Sequence, residues 1–139
     1  IGSGMTGLET SELLCAQGNK VTIVEMADAI APGAYFQHVD DAIPKLKAAD
    51  TTFLTSSKLV KINPNGIEIE NTKSGATSSI AVDFVVLSMG CRPDTSLYDE
   101  LINTKDRDYK VYKIGDCVKV GRIANATESA YQLAIKLNR

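Results

Sequence analysis

The chain has 139 residues, 44% hydrophobic and 23% charged, a composition that suits one soluble domain with a single core. A formal net charge of −2 leaves no basic surface for nucleic acid. The longest apolar run, around residues 84–87, is far short of a membrane span, so no membrane partner is expected.

The chain opens on Gly2-x-Gly4-x-x-Gly7, a G-x-G-x-x-G loop that normally follows a buried strand and opens a helix. The helix is predicted over 4–17, with Leu8, Ser11, Glu12 and Cys15 at helical spacings and Gly18 as its stop. The preceding strand is almost absent, so the chain is expected to be an excerpt of a larger protein, begun inside a domain. A β-branched strand is predicted over 20–24, closed by Glu25. Residues 37–49 carry a helical pattern with a break or kink expected at Pro44, and 51–54 form a short strand. Three alternating segments, 59–63, 66–70 and 78–82, read as an antiparallel meander, with Asn65-Gly66 as a hairpin signal. Residues 84–88 suit a parallel strand buried on both faces. A short helix over 95–103, a polar linker, a strand over 110–114 and a last helix over 123–137 complete the chain. The predicted class is α/β: a Rossmann-like parallel sheet with helices on both faces, a three-stranded antiparallel β-meander and a truncated first strand.

The glycine loop carries the chemistry. Gly2 permits the tight turn, Gly4 lets backbone approach a pyrophosphate, and Gly7 lets the helix pack close to the sheet. The unpaired amides at the helix start, at Met5 and Thr6, attract phosphate oxygens. Glu25 at the second strand's end can accept the ribose hydroxyls of an adenosine and repel the extra phosphate of NADP. Met26, Ala27 and Asp28 follow it, with no arginine, so NAD(H) is the predicted dinucleotide. A purely structural glycine turn, with Glu25 as a solvated strand-end acid, is the competing reading.

Cys15, Cys91 and Cys117 are far apart, odd in number and lack a C-x-x-C pair. They predict buried free thiols in a reducing cytoplasm, with no local zinc or dithiol site. His38 has no partner at a diagnostic spacing and reads as a surface residue.

The glycine loop, followed by Glu9 and by Val21-Thr22-Ile23-Val24-Glu25, resembles the NAD(P)-binding domain of the pyridine nucleotide-disulfide oxidoreductase-like flavoproteins. In that family a βαβ unit, a meander and a last parallel strand follow in this order. Ser88-Met89-Gly90-Cys91-Arg92-Pro93 resembles the family's second glycine motif, beside the bound NAD. Val111-Tyr112-Lys113-Ile114-Gly115-Asp116 resembles the returning strand of the FAD domain, whose Asp meets the flavin. The later motifs are most similar to the C-terminal region of NADH:flavin oxidoreductases of the 2,4-dienoyl-CoA reductase and 2-enoate reductase type.

That resemblance implies an NAD(H)-binding domain over 1–104 and a C-terminal segment of the FAD domain over 105–139. It implies missing N-terminal flavin domains of the same polypeptide as partners. FAD would belong to the parent protein; FMN and an iron-sulfur cluster are possible there and not in this chain. Glu9 would face the nicotinamide, or serve as a first-turn acid favoured by the helix dipole. The expected cofactor-binding set is Gly2, Ser3, Gly4, Met5, Thr6, Gly7, Glu9, Glu25, Met26, Gly90, Gly115 and Asp116, with no catalytic or metal-binding residue. The implied function is to present nicotinamide to FAD for hydride transfer in an enzyme that reduces an activated alkene. The alternative is a nucleotide-binding module without activity of its own. A sugar-nucleotide or S-adenosylmethionine domain also uses a glycine loop and a strand-end acid, but leaves the meander and later glycine turns unexplained.

Overall fold

A computed structural model describes residues 1–138. It divides into two compact units, Ile1–Gly90 and the part from Cys91 onward.

In the first unit, α1 spans Met5–Ala16 and ends as its sequence predicts. Gly18 adopts φ +84°, and the Asn19 amide reaches back to the Leu14 carbonyl at 3.1 Å, which also accepts the Gln17 amide at 3.1 Å, so the helix end is closed. The strand β1 (Thr22–Val24) pairs in parallel with β2 (Thr52–Leu54) in the register Ile23↔Phe53. Beside them, the Gly2 amide donates to the Val24 carbonyl at 2.8 Å. Ile1 bridges to the other side: its ammonium donates to the Val86 carbonyl, and the Ser88 amide donates to the Ile1 carbonyl, both at 2.7 Å.

Alternation along β1 and β2 sorts side chains onto two faces. Ile23 and Phe53 pack with Leu8, Ala42 and Leu46, on the side of α1 and of α2 (Phe36–Ala48). Val24 and Leu54 pack with Ile67 and Ile69 of the antiparallel meander β3 (Ser57–Asn63), β4 (Gly66–Asn71) and β5 (Thr77–Ile80). The α/β class therefore holds, with the meander rather than a helix over the second face of this unit.

Two expectations for this unit are corrected. The helix α2 continues through Pro44, so of the break or kink expected there no break occurs. Ala42 and Leu46 are buried against the first core, and that packing outweighs the bond the proline removes. Residues 84–88 are not a strand buried on both faces: Phe84 is 89% exposed and Leu87 52% exposed. Their backbone partner is Ile1, too short a neighbour to cover them.

In the second unit, α3 covers Ser96–Ile102, a 3₁₀ turn covers Gly115–Cys117, and α4 covers Ile123–Leu137. The Asp94 carboxylate accepts the Ser96 amide at 2.9 Å, which holds the carboxyl below its ordinary value. The 3₁₀ turn docks on α4, where the Gly115 amide donates to Ser129 Oγ at 3.0 Å. The predicted strand over 110–114 is not formed, because it has no ladder partner among the described residues. No residue of α4 is fully buried; Ala126, Ser129, Ala130 and Leu133, on one side of it, are half-buried. The boundary at Gly90 precedes the 104/105 division that the family resemblance implies.

Candidate dinucleotide site

The three glycines of the opening loop answer to three different constraints. Gly2 has φ +94°, and a Cβ there would stand 2.2 Å from the Ser88 carbonyl oxygen. Gly7 lies on the first turns of α1, where a Cβ would stand 2.2 Å from the Gly2 carbonyl oxygen. These two therefore let helix, loop and the 84–88 segment close on one another. Gly4 differs, since a Cβ on it would meet no atom within 4 Å. The absent side chain at Gly4 serves no internal packing; it keeps open the space in front of the helix start.

That helix start suits an anion. Gly4 is the N-cap of α1 and offers no side-chain cap, and the first turn holds no acidic residue. The leading amides and the partial positive charge of the helix end thus face the space Gly4 leaves free. Met5 is half-buried and Thr6 exposed at this end, while Gly7 and Ser3 are buried.

Glu25 is built into the same loop. Its Oε2 accepts both the amide and the hydroxyl of Ser3, each at 2.8 Å. Its Oε1 accepts the Ala27 amide at 2.8 Å. Partial burial alone would raise the Glu25 pKa, but the Ala27 amide, the two Ser3 donors and the Met26 amide outweigh it and hold the carboxyl below its ordinary value. Ser3 Oγ also accepts the Ala31 amide at 2.8 Å, so the 26–34 segment is tied to the glycine loop. Ala31 sits at φ +53° with its side chain in the core.

The remaining predicted residues are placed as follows. Glu9 is exposed on α1, and Met26 is 62% exposed beside Glu25. Gly90, at φ +78°, ends the first unit, two residues beyond the Ser88 that backs Gly2. Gly115 and Asp116 belong to the second unit, where Asp116 caps a local turn by accepting the Gly121 amide at 3.2 Å. The cysteines correct an expectation: Cys15 and Cys117 are half-buried and Cys91 is exposed, all with free thiols. Cys15 shares a 3.3 Å contact with the Thr51 hydroxyl, and the Cys117 thiol donates to the Ile114 carbonyl at 3.0 Å.

The amides of Ala27 and Ala31 and the Ser88 backbone escaped sequence reading, because backbone roles leave no side-chain signature. A small hydroxyl residue inside the G-x-G, beside a strand-end acid, was the available signal for the Ser3 contact.

Comparison with known proteins identifies the group. The pyridine nucleotide-disulphide oxidoreductase family model matches residues 1–132. The chain belongs to that family. It is 33% identical to a bilirubin reductase of Mediterraneibacter gnavus and 34% identical to a cinnamate reductase of Clostridium sporogenes, matching 96% of this chain and 20% of each relative. The structure of a 2-naphthoyl-CoA reductase in complex with 2-naphthoyl-CoA superposes with a TM-score of 0.77 at 26% identity, covering 98% of this chain and 20% of that one. The chain thus spans about one fifth of the length of these relatives. Among the described residues, no helix is long and apolar enough to cross a membrane.

Proposed function

We propose that this chain is the NADH-binding part of a flavin-dependent oxidoreductase. The observation that carries the reading is the open space at Gly4, faced by uncapped helix amides and flanked by an anchored Glu25. A dinucleotide fits this set: diphosphate toward the amides of Gly4, Met5 and Thr6, and adenosine ribose toward Glu25. Met26, Glu9 and Gly90 border the same ligand in this reading. Glu25 disfavours NADPH, because a 2′-phosphate would meet a carboxylate held in its charged form.

When bound, NADH supplies a hydride from nicotinamide C4 to flavin N5, and the protein's part is binding and orientation. No acid or base of this chain is assigned to that step. Residues 1–104 hold the dinucleotide and residues 105–139 belong to the flavin domain, with Gly115 and Asp116 toward FAD. The rest of FAD, and any FMN and iron-sulfur cluster, lie with other domains of the parent polypeptide. The parent reduces an activated alkene of the enoate or enoyl-CoA type, a reading supported by the reductases it resembles. Free thiols suit a cytoplasmic setting.

Calorimetric titration of this chain with NADH and NADPH tests the proposal. NADH is expected to bind more tightly, and equal or tighter binding of NADPH would overturn the assignment. Turnover with added FAD and an artificial acceptor separates an active fragment from a binding module: the module gives none.

A further inference from the structure

The structure assigns Ser3 as the positioning residue that decides which oxygen of Glu25 is offered to the ribose. This rests on the NADH reading and adds the device behind its selectivity. Ser3 is fully buried, at 0% exposure, so its hydroxyl answers to protein groups alone. It donates to Glu25 Oε2 and accepts from the Ala31 amide, while its own amide donates to the same Oε2. A carboxylate oxygen has two lone pairs. The two Ser3 donors fill both on Oε2. Oε1 carries one hydrogen bond, from Ala27, and the Met26 amide also draws on the carboxylate, so Oε1 is the oxygen with fewer bonds and the one left for a ligand. The ribose hydroxyl is therefore received at Oε1, and Ser3 keeps the carboxylate from turning.

The bond to Ala31 extends the role. The same hydroxyl bonds Glu25 and the Ala31 amide, and with the Ala27 amide on Oε1 it ties the acid to the 26–34 segment that borders the ribose site. Removing the hydroxyl leaves Glu25 with the Ser3 amide on Oε2 and the Ala27 amide on Oε1, so its last bond is held less firmly, and it releases the Ala31 amide.

Ser3→Ala, Ser3→Gly, Glu25→Gln and the Ser3→Ala/Glu25→Gln double variant are titrated with NADH and NADPH. Glu25 is also titrated by carboxyl-carbon NMR in the wild type and both Ser3 variants. Loss of the hydroxyl is expected to lower the preference for NADH over NADPH about tenfold, alike for alanine and glycine, and to move the Glu25 pKa upward. Glu25→Gln is expected to remove the preference, with no further loss in the double variant. An unchanged preference, equal weakening of both nucleotides, additive losses or an unmoved Glu25 titration would each overturn the role of Ser3. If the wild type binds neither nucleotide, the NADH reading fails, and the NMR titration still decides whether Ser3 holds the acid.

Discussion

Replacing Gly4 and Gly7 separately by alanine separates the ligand's claim on the loop from the fold's. At Gly4 the backbone has φ −58° and ψ 176°, which alanine adopts, and the new Cβ meets nothing within 4 Å. Restricting the unfolded chain favours the variant by about 0.4–1 kcal/mol. Replacing a glycine N-cap by alanine costs a similar amount, so stability should stay within about 0.5 kcal/mol of the wild type. At Gly7 two effects oppose. Helix propensity favours alanine by about 1 kcal/mol. Its Cβ, however, would lie 2.2 Å from the Gly2 carbonyl oxygen and 3.1 Å from the carbonyl carbon. Backbone atoms cannot rotate aside, so α1 must retreat by about 1 Å, loosening Leu8, which is fully buried. Such overpacking costs about 3 kcal/mol, leaving Gly7→Ala about 2 kcal/mol less stable. Urea denaturation at pH 7 and calorimetric NADH titration check both variants. Gly4→Ala should keep its midpoint and lose at least about tenfold in affinity, about 1.4 kcal/mol. Gly7→Ala should lose both. Wild-type NADH affinity in a normally folded Gly4→Ala would refute the phosphate site, and a Gly7→Ala as stable as the wild type would refute the close-approach argument.

Glu25→Gln sets an amide group against either the Ser3 donors or the Ala27 amide, and this partly exposed site should lose about 1 kcal/mol at pH 7. The folded Glu25 pKa lies below its ordinary value of 4.5, so the acid's contribution is present above that pH and lost as pH falls through the folded pKa. The gap between wild type and variant should narrow below about pH 4.5 in denaturation curves, and a pH-independent gap would count against the hydrogen-bond account. Pro44→Ala restores an amide donor within α2 at an exposed position and should stabilise by about 1–2 kcal/mol. Thermal melting reads the gain, and an unchanged or lower midpoint would refute the lost-bond account of Pro44.

Signals that act within a few residues were legible in the sequence. Gly18 ended α1, β-branched residues made β1, and alternation made the meander, because those choices depend on local sterics and on one buried face. The order of the motifs carried the family, which the match over residues 1–132 bears out. Tertiary structure decided the rest. An extended segment becomes a strand only beside a partner, which residues 110–114 lack among the described residues and residues 84–88 find only at Ile1. Pro44 stays in a helix because Ala42 and Leu46 are gripped from outside it. The union of Ser3 with Glu25 exists only because the Gly2 amide bonds the Val24 carbonyl and so sets the end of β1 beside the glycine loop. Residue types announce which groups can bond; which of them meet is set by the sheet.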